Sequence, residues 1–573
     1  MDNHNNQDVQ NIRDDQGIPN DQDIQSKPAQ TKNLPTPAVF INIYLFIMFT
    51  LFPLFVTVYA DDKFPFIHLD DGFIGIRHQK YYFFLAATAI AVIAEFFLLI
   101  LMDSKGADKL KINKNSTLKK LSFTDWAALA LVLCCAVSTV LSPYIEMAFW
   151  GEITVGKSTQ GRNNGLILIL FYVLIYFMIT RLYRYAEYVF IGLACSCAIV
   201  YLLTVLNGYY IDPLNMFAQF RMQRNIYMEF FATIGNKNML SSFICITLPA
   251  LFTMSIVTKK LSFRIIYLIS VSLGAMAFII DDSESGMLGI AVFLAVFLVV
   301  FIRRLDRLKY YFLALTVFLA SIKILRLFSY IMEDSYKELG ELPYAILFSK
   351  KVYVVIAASA IITVILFLIS KTKPGIVLPK AVPIVLGTLF GLAALGVLGT
   401  FIYFSFIDTK TPLGNMESLL RFGPKWGTHR GIMWIRAFDI FGEADFIHKL
   451  FGYGPDTFYR LYEPYFTELQ QYGNTSSDAV HNEYINYLVT IGIAGLASYL
   501  AFVGGALVRG FKSAKRNPVV LAFAAAVIGY AAQAVVNIAV PISTPLFIIF
   551  VSLCEAMARQ RDVVAAATPQ SAF

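Results

Sequence analysis

Histidine, asparagine and glutamate meet at 481–483, where the polar run Ser476, Ser477, Asp478 gives way to a long apolar stretch reaching residue 500. A side-chain oxygen in that run can cap the free amides of a helix start, which places His481 in the first turn. The positive end of the helix dipole disfavours a cation there, so the pattern predicts a neutral imidazole able to act as a general base. A His-Asn pair can equally do no more than mark the water boundary of a membrane helix, so the chemistry needs partners elsewhere. Arginines supply them: Arg162, Arg221, Arg224, Arg421, Arg430, Arg436 and Arg460, with Arg430 foremost. A planar guanidinium fork suits phosphate oxygens and the charge that develops on a diphosphate leaving group. Without an anion, the same side chains are solvated loop charges or salt-bridge partners.

These residues must be positioned by a membrane fold. Of 573 residues, 57% are hydrophobic and 15% charged, a composition of neither a soluble domain nor a disordered chain. Apolar runs near membrane-spanning length lie at 39–60, 81–102, 124–141, 166–180, 186–206, 239–257, 262–280, 286–302, 310–328, 352–369 and 382–404. After a polar interval they resume at 484–508, 519–537 and 544–558. The expectation is an all-α polytopic transmembrane helical bundle of about fourteen spans. The formal charge of +8 belongs to this topology rather than to nucleic acid, because Lys and Arg cluster between alternate spans. Lys105, Arg181, Lys259, Arg303, Lys371, Arg509 and Arg559 fall in one set of loops, and Asp281, Asp282 and Glu284 in the other.

That alternation puts both termini in the cytoplasm and His481 on the outer side of the cytoplasmic membrane. The organisation read from it is a disordered cytoplasmic tail (1–37), transmembrane helices 1–11 (38–404), a large extracytoplasmic loop containing short helices (405–482), transmembrane helices 12–14 (483–558) and a second cytoplasmic tail (559–573). No removable signal peptide is read at the start. Within the loop, Ile432, Ile435, Phe438 and Phe441 share a helical face, Gly452 to Pro455 reads as a turn, and 456–462 as a short helix stopped by Pro464. Its tyrosines and phenylalanines could stack on sugars or serve as interfacial anchors. Long loops without function are uncommon, which directs attention to this one.

Other chemistries lack their residues. No GxxxxGK[ST] loop implies ATP, no GxSxG marks a serine hydrolase, and His68, His78, His429, His448 and His481 have no ligand spacing. Neither a metal nor another cofactor is expected. The six cysteines all lie in apolar runs and read as packing residues.

Taken in order, the motifs resemble the O-antigen ligase and O-antigen polymerase superfamily of bacterial membrane glycosyltransferases. The resemblance rests on Arg430 followed by Trp434, the Gly452 and Gly454 turn, and His481 with Asn482 opening the next span. Gly492 and Gly495 downstream, Gly161, Arg162 and Gly165, and the run Gly235, Asn236, Lys237, Asn238 upstream also fit. It implies metal-independent, inverting transfer of a glycan from a polyprenyl diphosphate-linked donor to a glycan, lipid or protein acceptor in the lipid bilayer. His481 would take the acceptor's proton while Arg430, with Arg162, Arg221, Arg224 or Lys237, holds the diphosphate. Asn482, Trp434, Gly452 and Gly454 would support them. One departure stands out: Ser283, Glu284, Ser285 occupies the place of a Ser-Arg-Gly found in many members.

A polysaccharide transporter or lipid flippase is the principal alternative, since twelve to fourteen spans suits one. It calls for ionisable groups at membrane depth, where only Glu95, Lys323 and Arg326 qualify, and for matching halves that the chain lacks. A structural or sensing protein leaves the basic, aromatic outer loop unexplained.

Overall fold

The computed structural model describes residues 36–56, 73–104, 121–155, 158–216, 229–332, 338–472 and 477–567. The proposed tail at 1–37 therefore lies almost wholly outside the described residues, as do Arg221, Arg224 and His68. The protein is a multi-pass, helical membrane protein. Its long helices are α1 (Thr36–Leu54), α2 (Phe73–Ser104), α3 (Phe123–Leu141), α4 (Leu166–Leu182), α5 (Glu187–Gly208), α6 (Lys237–Val257), α7 (Leu261–Asp281), α8 (Glu284–Phe301), α9 (Leu305–Ile331), α10 (Lys351–Thr372) and α11 (Ala381–Ile402). After an irregular interval come α12 (Trp426–Glu443), α13 (Phe446–Phe451), α14 (Glu483–Thr490), α15 (Gly492–Ser513), α16 (Val520–Gln533) and α17 (Thr544–Ala567). Among the described residues, 11 helices are long and apolar enough to cross a membrane, and α4 and the stretch Val520–Val536 are shorter apolar helices.

Each apolar run of the sequence thus has its helix, with two differences. The run at 484–508 is broken at Gly492, where φ is +70°, so α14 and α15 are separate and α14 stays with the loop. The last helix runs on to Ala567, past the expected start of a tail at 559. Helix starts follow local chemistry. Ser122 and Asp125 form a reciprocal capping box at α3, and Asp125 also binds Arg181 at 3.0 Å and Arg559, tying α3, α4 and α17 together.

The central helix is α6, with 94% of its apolar stretch buried inside the protein, whereas α11 has no buried residue. Two lysines within the bundle are held by backbone: Lys80 donates to the carbonyls of Phe52 and Pro53 at the end of α1, and Lys323 to those of Ile346, Leu347 and Ser349. Two small antiparallel hairpins lie at loop positions that matter below, β1 (Glu152–Val155) with β2 (Ser158–Gly161), and β3 (Phe230–Phe231) with β4 (Gly235–Asn236).

The loop between α11 and α14 has its own apolar core. Ile432, Met433, Ala437 and Ile440 of α12 pack with Phe458, Tyr462, Leu469, Val480 and Val489. The buried face is rotated from the expected one, and Phe438 is exposed, because Met433, Ala437 and Ile440 follow the i, i+4, i+7 line that meets the next segment. The second short helix begins at Phe458 rather than 456, which frees Asp456 for the site.

Candidate functional site

Three pieces of chain converge where α4 begins and α14 begins. The first is the β1–β2 hairpin and the turn after it. Gly161 and Gly165 are needed there: a Cβ on Gly161 would lie 2.5 Å from the Gly151 carbonyl oxygen, and one on Gly165 2.3 Å from the Gly151 nitrogen. This crossing turns Arg162 inward. Its backbone N–H and that of Asn164 both donate to Asp456 Oδ2 at 2.8 Å, and its guanidinium Nη2 meets Asp478 Oδ1 at 2.5 Å.

The second piece is the start of α12. Gly427, Thr428 and His429 all take left-handed conformations, so regular helix begins at Arg430. Arg430 Nη1 donates to the Gly427 carbonyl at 2.8 Å and to Thr428 Oγ1 at 3.1 Å, locking the turn. Gly431 lets the chain double back, since a Cβ there would collide with the Gly423 carbonyl. Arg430 is buried, and Glu284 Oε2 stands 3.9 Å from its Nη1.

The third piece is 478–483. The cap of α14 is Asn482, whose Oδ1 accepts from the amides of Tyr484 and Ile485, both at 3.0 Å. The expected Ser-Asp cap is therefore displaced; Ser476 lies outside the described residues, and Asp478 is engaged by Arg162. His481 sits one residue before the cap with φ +55°, outside the first turn. Asn163, Thr428, His429, Asp456 and His481 are all non-glycine residues with positive φ, a strain that tends to gather at functional sites.

The electrostatics follow from this packing. Burial, then the charges of Arg162 and Arg430, hold the His481 imidazole well below its ordinary pKa. The ring is neutral at pH 7, and the cause is its surroundings more than a helix dipole. Burial pushes the Asp456 carboxyl up to about 7 against the pull of its two amide donors. Glu483 is buried with Oε1 accepting from Tyr499 at 2.6 Å and Oε2 from Tyr530 at 2.8 Å, and burial raises it to about 6. A cavity of ≈ 20 Å³ between Arg162, Asp456, Glu483 and Asn486 has room for about one water molecule.

The site leaves donors unmatched. Among the described residues, Arg162 Nε and Arg430 Nε are buried with no partner, as are Nε and Nη2 of Arg77. Arg77, 2% exposed on α2, has Asp478 at 4.0 Å as an ion partner. Neither Arg77 nor Asp478 was singled out from the sequence: Arg77 lies at the edge of an apolar run and Asp478 reads as a cap. Arg77 and Arg162 thus carry unmatched guanidinium N–H groups around the Asp478 carboxylate, donors of the kind that multi-oxygen anions accept from.

The remaining sequence candidates fall in two groups. Gly454 donates to Thr490 O at 2.8 Å and to Ser138 Oγ at 2.9 Å, while Gly452 and Gly492 cross backbone to backbone; both loop glycines hold α14 in place. Trp434 packs against Trp426 with the rings tilted by 58° and their centroids 5.1 Å apart, and is part of the loop's aromatic packing. Lys237, in contrast, pairs with Glu229 at 2.9 Å.

Residues 344–500 match the family described as O-Antigen ligase. This part of the chain is similar to the O-antigen ligases. The matched stretch holds Arg430, Trp434, Gly452, Gly454, His481 and Asn482, and excludes Arg77, Arg162 and Lys237. No curated protein gives a significant match to the chain. The ligase-like stretch holds His481 and Arg430, and the turn after the hairpin before α4 holds Arg162.

Proposed function

We propose that the protein is a glycosyltransferase of surface polysaccharide biosynthesis, moving a glycan from a polyprenyl diphosphate carrier to an acceptor hydroxyl at the outer face of the cytoplasmic membrane. The observation that carries this reading is a neutral His481 under the charge of two buried arginines, Arg162 and Arg430, each with an unmatched Nε–H. The similarity of 344–500 to O-antigen ligases supports it, and the alternation of loop charges supports the outer orientation.

In this scheme His481 accepts the proton of the acceptor hydroxyl as its oxygen bonds to the anomeric carbon. The bond from that carbon to the diphosphate breaks, its electron pair leaves on the diphosphate oxygen, and Arg430 and Arg162 stabilise the charge. In-line attack inverts the anomeric centre, and the imidazolium returns its proton to water. The arginines do the electrostatic work, so the step is routed through no metal. Arg221 and Arg224 remain candidates for the carrier's diphosphate outside the described residues, and Lys237, paired with Glu229 at 2.9 Å, would have to exchange that carboxylate for the diphosphate.

The test is to supply the purified protein, in proteoliposomes, with a polyprenyl diphosphate-linked glycan. A ladder of products identifies a polymerase, and a single transfer to lipid or protein identifies a ligase. Movement of intact carrier across the bilayer without transfer would instead establish a flippase and overturn this reading.

A further inference from the structure

Glu284 stands where it can oppose the anion that the arginines attract. It is the first residue of α8, between Ser283 and Ser285, both buried and hydrogen-bonded to each other at 2.9 Å. Ser285 also meets Ser241 Oγ at 3.0 Å and accepts from Asn537 Nδ2 at 3.2 Å, and a Cβ on Gly286 would lie 2.9 Å from Ser241 Oγ. This network fixes the start of α8 against α6 and turns the side chain between the two serines the other way. The Glu284 side chain is 83% exposed and that of Arg430 10%, with 3.9 Å between carboxylate and guanidinium. The acid therefore stands in solvent within ion-pair distance of the buried arginine.

We infer that Glu284 tunes the hold of the site on the diphosphate: it serves as the counter-ion of Arg430 before the anion arrives, competes with the incoming anion, and hastens departure of the polyprenyl diphosphate product. This rests on the function proposed above. A like charge beside the diphosphate weakens the bound state, and the same repulsion lowers the barrier to release. The exposed carboxylate makes the effect modest and dependent on salt.

The probe is polyprenyl diphosphate lacking a glycan, titrated against protein in phosphatidylcholine nanodiscs. Glu284→Gln should tighten its binding roughly twofold to fivefold, strengthen its inhibition of transfer, and lower kcat more than KM. The gain should shrink in high salt, and Glu284→Asp should stay near the wild type. Unchanged or weaker binding by a Glu284→Gln protein of wild-type Tm overturns the inference alone. Failure of the wild type to bind the lipid overturns the proposed function as well.

Discussion

Arg162 Nη2 and Asp478 Oδ1 meet at 2.5 Å, joining the hairpin before α4 to the segment that carries His481. The pair is the hinge pin of the site, because Arg162 is also held through its backbone by Asp456, and Asp478 faces Arg77 on α2. Removing the carboxylate leaves two buried guanidinium groups facing each other. Asp478→Asn should destabilise the protein by about 3 kcal/mol, the scale for breaking one side of a buried pair. A fall in Tm, with partial recovery when polyprenyl diphosphate is added, is the expected result. An unchanged Tm would assign the pair no structural role.

His481→Ala should reduce kcat by about two to four orders of magnitude, the usual contribution of a positioned base, while binding of polyprenyl diphosphate is retained. The low pKa of the imidazole sets the pH dependence. Because the folded value is depressed, the neutral form persists below pH 6.5, and no loss of rate from His481 protonation should centre there. A single acid limb at pH 6.5 that disappears in the variant would contradict the environment described for the ring.

Arg430 should resist conservative replacement. Arg430→Lys keeps the charge but loses the planar guanidinium, which holds Gly427 O and Thr428 Oγ1 through Nη1 and leaves Nε–H for another acceptor. Both Arg430→Lys and Arg430→Ala should lose about a hundredfold or more in kcat. Full activity of the lysine variant, measured as glycan transfer in nanodiscs, would reduce Arg430 to a point charge.

The helices were legible because spanning a bilayer demands a long apolar run, and each run of the sequence has its helix. The site was legible only where a residue type declares itself. His481, Arg430 and Arg162 stand out as polar groups in a largely apolar chain. Asn482 was visible, but its capping role was assigned to the run before it, since Ser, Asp and Asn compete for that position by small energies. The break at Gly492 was hidden, because a glycine in an apolar run announces neither a kink nor a neighbouring backbone. Arg77 was hidden too, as its partner Asp478 lies about four hundred residues away in sequence, and pairing at that range leaves no local pattern.

That break makes its own prediction. Gly452 has φ +74° and a Cβ there would lie 2.3 Å from the Thr490 carbonyl; Gly492 has φ +70° and would meet the Leu450 carbonyl at the same distance. Gly452→Ala and Gly492→Ala should each cost about 2 kcal/mol or more from strain and overlap. Gly396→Ala on α11, where nothing lies within 4 Å, should leave Tm unchanged. Equal Tm values for all three would mean that the crossing bears no weight.

Asp456 gives the site a pH signature separate from that of His481. Its folded pKa is raised to about 7 from an ordinary carboxyl value, so the folded state binds a proton that the unfolded state has released. The stabilisation is full below the unfolded pKa and is lost as pH rises through about 7, where the buried carboxylate must ionise. Asp456→Asn keeps an oxygen for the amides of Arg162 and Asn164 and cannot ionise. Thermal unfolding from pH 5 to 8 should therefore show the wild type losing stability relative to Asp456→Asn across that range. Parallel curves would mean that Asp456 is already ionised in the folded protein, held by its two amide donors and the nearby Arg77.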